Sequence, residues 1–200
     1  MRAAAGCPAL LLADQRAVGV RYLGTGGAVL DGTIEVHRTV VDDVASFFAL
    51  ALELRFPIER VVRASELGWD DLRLMAGNCT SGFNFRTVMD RPRLSLHALG
   101  LAFDVNTRWL PFLRRVDGAV VVEPSGATYD PSVPGTLTAD HPLVGHLVAL
   151  GWTWGGDWTL ERDGLVDYQH FEKRYDRDGR AAMIERYGLA DDVAPAARTR

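Results

Sequence analysis

Cysteine is scarce in this 200-residue chain, and long apolar runs, basic runs and repeats are missing; each absence closes off a class of protein. Cys7 and Cys79 make neither a disulfide framework nor a Cys-x-x-Cys metal site, and Cys79 reads as a small buried residue. No apolar run approaches the roughly 18 residues needed to cross a bilayer. Residues 1–12 hold one arginine and a short apolar stretch broken by Pro8, too short and poorly patterned for a signal peptide. Ala-Ala-Gly-Cys7 is faintly similar to a lipoprotein processing site, but the apolar segment before it is too short. A net charge of -4, with a pI near 5.7 and no Lys/Arg run, argues against a nucleic-acid partner. Arginine heavily outnumbers lysine, a compositional bias. Without repeats or low-complexity linkers, the expectation is a monomer with one domain over residues 21–189. A segment at 1–20 precedes it, and 190–200 reads as a disordered tail.

What is present is ordinary globular material. Hydrophobic residues make up 48% and charged residues 24%, enough to bury a sizeable core. Asp31-Gly32 between apolar residues suggests a hairpin turn within residues 29–37. Thr39 then reads as an N-cap, with Asp42 and Asp43 in the first turn of an amphipathic helix over 40–55, stopped by Pro57. Residues 58–64 read as a strand and 69–76 as a short helix closed by Gly77-Asn78. If 79–86 is extended, Phe83 and Phe85 face the core, leaving Asn84 and Arg86 on the other side; on pattern alone that is a half-exposed strand with a solvated arginine. A turn at Asp90-Arg-Pro-Arg93 follows. A strand is expected at 119–122, and Asp140 should cap a helix over 141–150 ended by Gly151. His37, His141 and His146 have no ligand-like spacing and read as structural or exposed.

Chemistry concentrates in three later stretches. In Ser95-x-His97-x-x-Gly100-x-Ala102-x-Asp104, an imidazole and a carboxylate suit a divalent metal, zinc first among them. Alternation from Gly100 puts Leu101, Phe103 and Val105 on one face, and Asp104 on a face that Gly100 and Ala102 keep open. Ser95 could fix His97 or touch a substrate. Trp154-Gly-Gly-Asp-Trp158, following Trp152, is either a core aromatic cluster or a pocket wall flanking Asp157. Asp167-x-x-His170-Phe-Glu172 offers a third ligand, His170, and a carboxylate, Asp167, able to take a proton from water. Residues three apart lie on opposite faces of an ideal strand, so Asp167 must occupy a turn or a bulge if both serve one site.

Together these three motifs resemble the D-alanyl-D-alanine carboxypeptidase (VanY-like) metallopeptidases, which include L-alanyl-D-glutamate endopeptidases. The resemblance covers residues 29–172 and is nearest the branch ending in Asp-x-x-His-Phe-Glu. It implies an α+β fold, a small, mainly antiparallel sheet carrying Asp104 and His170 with helices packed on one side. It implies one zinc ion held by His97, Asp104 and His170, with Asp167 as general base and Arg86, in an Asn-x-Arg position, facing the scissile carbonyl. Ser95, Asn84, Asp157 and Trp154 are weaker candidates for substrate contact or support. Phe85 departs from the smaller residue expected there, on the core side. The implied substrate is the stem peptide of peptidoglycan, cut next to a D-amino acid, which places the protein outside the cytoplasm. Trimming a terminal D-Ala and cutting L-Ala-D-Glu both stay open, and Arg91, Arg93 and Arg108 are all placed to hold a terminal carboxylate. The rival reading from another class is a catalytically silent zinc-bearing binding domain, as in hedgehog-type signalling domains.

Overall fold

The computed structural model describes residues 4–89 and 91–190; the expected tail beyond 190, and Asp90 of the expected turn, lie outside them. A short helix α1 (Ala9–Asp14) runs into β1 (Gln15–Leu23), which pairs along its whole length with β2 (Val29–His37). The chain reverses before Asp31-Gly32, where Gly24 N donates to Ala28 O at 2.8 Å and Gly27 takes a φ of +80°. Asp31-Gly32 itself lies inside β2, because the glycine-rich stretch ahead of it supplies the positive φ that a tight reversal needs.

Helix α2 (Val41–Glu53) is amphipathic as expected, burying Val44, Phe47, Phe48 and Ala51, with Asp42 and Asp43 in its first turn. Thr39 is not its cap. A 3-10 turn over Arg38–Val40 comes first, and its cap is the His37 ring, which accepts from Thr39 N at 3.2 Å and pairs with the Thr39 hydroxyl at 2.7 Å. The strand expected at 58–64 shrinks to β3 (Arg60–Val61), because the chain turns into a 3-10 segment at Ala64–Leu67. Then follow α3 (Asp71–Ala76), closed at Gly77 with Asn78 left-handed, and β4 (Cys79–Thr80), parallel to β3. Beyond β4 the chain is irregular, though Phe83 enters the core and Phe85 packs at its margin.

The remaining elements are β5 (Ala102–Asp104), β6 (Phe112–Val116), β7 (Ala119–Glu123), α4 (Pro142–Ala149), β8 (Trp152–Trp154), β9 (Leu165–Asp167), β10 (His170–Lys173) and α5 (Arg177–Arg186). Helix α4 is capped by His141 rather than Asp140: the imidazole accepts from Leu143 N at 3.2 Å, while Asp140 is turned to the Thr138 hydroxyl. The result is α+β, with the strands split into four small sheets: β1-β2, β3-β4, β5-β10-β8 and β7-β6-β9. All but β3-β4 are antiparallel.

One core cluster runs from Leu11 to Tyr187. At its centre Phe103 of β5 stacks on Phe171 of β10 at 5.4 Å and meets Phe47 and Trp152 edge-on. Because side chains alternate along a strand, burying Phe103 and Phe171 on one face dictates what the other face presents. That other face carries His170 opposite Asp104 and Glu172 opposite Ala102.

Candidate metal centre

Asp104 and His170 thus meet as ladder partners on the outer face of β5-β10-β8. His97 arrives from a 3-10 turn, Leu96–Leu99, whose N-cap is Ser95, its hydroxyl accepting from His97 N at 3.2 Å. Gly100 ends that turn with a φ of +70°. Its smallness serves a different purpose from the one expected. Gly100 does not clear the metal face; a Cβ there would run into the Gln15 side-chain oxygen and come within 2.6 Å of His37 N, so it lets the turn lie against the β1-β2 hairpin.

The three ligand-type atoms converge closely. His97 Nε2 lies 3.1 Å from His170 Nδ1 and 3.2 Å from Asp104 Oδ1, and His170 Nδ1 lies 3.1 Å from that same oxygen. The outer ring atoms settle where the outward protons sit and which ring nitrogens face in. His97 Nδ1 is 2.8 Å from the Gly82 carbonyl, which only accepts, so that nitrogen donates and Nε2 is left with its lone pair. His170 Nε2 is 3.2 Å from the Glu172 carboxylate, so it also donates outward and points Nδ1 inward, to offer its lone pair to a cation or to hold a proton in a cation's absence. Three acceptors therefore face one another in a buried place, which is stable only around a positive charge. Zinc–nitrogen and zinc–oxygen distances of about 2.0–2.1 Å give tetrahedral edges of about 3.3 Å, so the triangle fits a small divalent cation such as zinc.

Titration reflects the same demand. Burial opposes the charge on Asp104, but the His97 and His170 imidazoles outweigh it and hold the carboxyl well below the usual range. Burial likewise opposes charge on His170, yet the hydrogen bonds and charges of its carboxylate neighbours push it up to about 10. Glu172, against the pull of burial, is lowered by its bond to His170.

Asp167 is the last residue of β9, hydrogen-bonded into the β7-β6-β9 sheet opposite Phe112, whereas His170 opens β10 in the neighbouring sheet. The two-residue turn between them lets side chains three apart serve one cleft. Its Tyr168 carbonyl accepts from Trp154 Nε1 at 2.8 Å, and the Tyr168 ring stacks on Tyr129 with centroids 3.7 Å apart. Burial pushes the Asp167 carboxyl up to about 7, and its Oδ1 has no donor among the described residues. Arg86 is held by Asp71, at the start of α3, with Nε 2.8 Å from Oδ1, and donates to Thr87 O at 3.2 Å.

These groups open into a cleft of about 390 Å³ lined by His97, His170, Asp167 and Arg86. Trp158, with its ring 5.7 Å from that of His170, stands on the same cleft with Asp163 and Leu165; Arg91 and Arg93 also line it. Several weaker candidates lie elsewhere. Trp152 and Trp154 are core residues, Trp154 acting through the Tyr168 carbonyl, and Asp157 is exposed because the 3-10 turn Gly155–Asp157 swings it away. Asn84 is buried beside the site, its backbone N–H donating to His97 O at 3.1 Å. Arg108 does not line the cleft. Sequence reasoning gave no site role to Trp158, Asp71 or the orienting carboxylate of Glu172. For Trp158 the signal was present, since a glycine turn between two tryptophans can send one inward and the other to a pocket. Asp71 has none, being an ordinary helix-start carboxylate.

A buried two-histidine, one-aspartate cluster that could hold a metal ion lies beside a second carboxylate and an arginine, in a cleft on an α+β scaffold. Residues 89–173 match the family model described as D-alanyl-D-alanine carboxypeptidase, which bears out the resemblance over the segment holding all three ligand-type residues and Asp167. Arg86 lies just ahead of that segment. No curated protein and no solved structure matches the chain.

Proposed function

We propose that the protein is a zinc-dependent peptidase that hydrolyses peptidoglycan stem peptides next to a D-amino acid. The observation that carries this reading is the convergence of three lone pairs from His97, Asp104 and His170 in the same cleft as a carboxyl whose burial pushes it up to about 7. Zinc bound there supplies Lewis acidity and makes water acidic enough to attack at neutral pH. Asp167 takes the proton of the attacking water and returns it to the leaving amine, work that suits a carboxyl titrating near the working pH. Arg86, fixed by Asp71, donates to the oxygen of the scissile carbonyl as charge develops there. Trp158 offers a rigid apolar wall for the substrate. The match to a carboxypeptidase family supports removal of a terminal D-Ala.

A second reading, cutting within the stem as an L-Ala-D-Glu endopeptidase, is favoured by one feature: Arg93 also borders a groove along α5 lined by Tyr175, Arg177 and Arg180, room for a longer chain. The substrate places the enzyme outside the cytoplasm. The test is mass spectrometry of muropeptides incubated with zinc-loaded protein, with and without a chelator. Loss of one terminal alanine is expected, sensitive to chelation. Intact muropeptides in the presence of zinc sink the peptidase reading, and release of the whole stem beyond L-Ala replaces the exopeptidase form with the endopeptidase one.

A further inference from the structure

Beside the metal cleft lies a second hollow, of about 900 Å³, between Arg93 and helix α5, and the hydrolytic chemistry leaves it unused. The two hollows meet at Arg93, which lines both. Arg180 Nη2 donates to Leu94 O at 2.7 Å, so α5 is fastened beside Arg93 and the groove keeps its place relative to the cleft. Ala181, Ile184 and Leu189 give the groove an apolar lining. Tyr175 adds an aromatic ring and is 36% exposed. That ring lies against the first turn of α5 because Gly179 makes room for it; a Cβ at Gly179 would come within 3.1 Å of the ring. Around this apolar surface stand charges of both signs, Arg177 and Arg180 with Asp176 and Glu185.

We infer that this groove holds the sugar chain to which the stem peptide is attached, a neutral glycan of N-acetylated amino sugars, with Tyr175 as its stacking platform. The inference rests on the peptidase reading for its substrate, and on the groove for the kind of ligand. A pyranose is amphipathic: the C–H bonds of one face lie flat on an aromatic ring, whose negative face attracts them, while the hydroxyls point to the rim. Those hydroxyls both donate and accept, which matches a lining that mixes arginines with carboxylates. A polymer of one charge would meet its own sign there. An extended peptide needs a row of open backbone groups to pair with, and α5 offers none, because a helix uses its N–H and C=O groups on itself. The groove's volume also falls within the roughly 300–1,000 Å³ of sites that take small ligands.

Tyr175→Ala removes the platform and Tyr175→Phe keeps it; the residue is exposed and outside the metal cluster, so neither variant disturbs the ligand-type residues. The measurement is calorimetric binding to the metal-free protein of three compounds: a disaccharide-pentapeptide muropeptide, the same pentapeptide without sugar, and that pentapeptide lengthened at its N-terminus by further residues. Steady-state kinetics on the zinc-loaded enzyme run in parallel. Wild type and Tyr175→Phe should bind the muropeptide about tenfold more tightly than either sugar-free peptide, a difference of ~1.4 kcal/mol. Tyr175→Ala should bind all three alike, with KM for the muropeptide raised by about the same factor and kcat nearly kept. Equal binding of the three by wild type overturns the sugar site, as does a preference for the lengthened peptide, or a muropeptide preference that survives Tyr175→Ala. Zinc-loaded wild type that leaves every compound intact while still preferring the muropeptide in binding fails the peptidase reading instead, and leaves the sugar site standing.

Discussion

At the residue scale, Asp167 and His97 have opposite expected consequences on substitution. Asp167 lies outside the triangle formed by His97, Asp104 and His170, so on the proposed reading Asp167→Ala should keep the metal and lose turnover, whereas His97→Ala removes one of the proposed ligands and should lose the metal. Metal analysis of the two purified variants separates the roles, and a metal-free Asp167→Ala overturns the assignment. The titration of Asp167 adds a pH dependence with a definite sign. Its folded value, raised by burial to about 7, means the carboxylate is lost as pH falls through that region, so kcat/KM should decline on the acid side. A bound divalent cation favours the carboxylate and moves that limb to lower pH, never higher. A profile of kcat/KM against pH that stays flat down to about the ordinary aspartate value of 3.9 removes Asp167 as the base.

At the element scale, the junction between β9 and β10 decides whether base and ligand cooperate. Tyr168 sits in that junction, its carbonyl held by Trp154 and its ring by Tyr129, which is itself tied through its hydroxyl to Leu137 O at 2.8 Å. Tyr129→Leu should therefore lower kcat by about tenfold, with metal content and KM little changed, because a misplaced proton acceptor costs rate rather than binding. Tyr129→Phe, which keeps the stack, should restore most of the rate. If Tyr129→Phe is as impaired as Tyr129→Leu, the stack is not what positions Asp167.

This junction also marks where the sequence was legible and where it was not. Alternation from Gly100 to Asn106 foretold that Asp104 lies on the face opposite Phe103, since burying one face of a strand fixes the other. The spacing of Asp167 and His170 foretold a turn or bulge between them, and α2 was plain from its apolar period. Hidden were features set by contacts far along the chain. The role of Gly100 depends on Gln15 and His37, that of Asp71 on Arg86, and the shortness of β3 on the turn that follows it. The Asp31-Gly32 turn was misplaced because a second turn signal, Gly26-Gly27, stands five residues before it, and local propensity alone does not rank them.

At the scale of the whole molecule, the first and last helices, α1 and α5, are fastened together. Tyr187, just after α5, donates to Asp14 of α1 at 2.9 Å and pairs with His37 Nε2 at 2.7 Å, while Arg38 and Arg186 pair with the same aspartate at 3.0 Å. Asp43 similarly ties α2 to the functional sheet, accepting from Trp152 Nε1 at 2.8 Å and Lys173 Nζ at 2.6 Å. The face carrying His97, Asp104 and His170 thus rests on a scaffold tied from α1 to α5, and the demand of these three groups for a positive charge becomes a term in the stability of the fold. Without metal, a proton on His170 supplies the positive charge that the converging lone pairs require. Its folded value, about 10, stands above the ordinary histidine value of 6.5, so the native state binds more protons than the unfolded one between those values. The stabilisation is therefore full below about pH 6.5 and fades as pH rises toward 10. A divalent cation in the same place displaces that proton, so its apparent affinity should climb by about tenfold per pH unit within this window. Metal-free protein should lose thermal stability between pH 7 and 9, while protein at a fixed free zinc concentration about 100 times its dissociation constant at pH 7 gains about 2.7 kcal/mol there, and more at the alkaline end as that constant falls. Thermal melts of both forms across that range, with zinc buffered, read the linkage directly. A metal-free protein whose melting temperature ignores pH, together with a zinc affinity that does the same, would show that His170 carries no proton for the metal to displace.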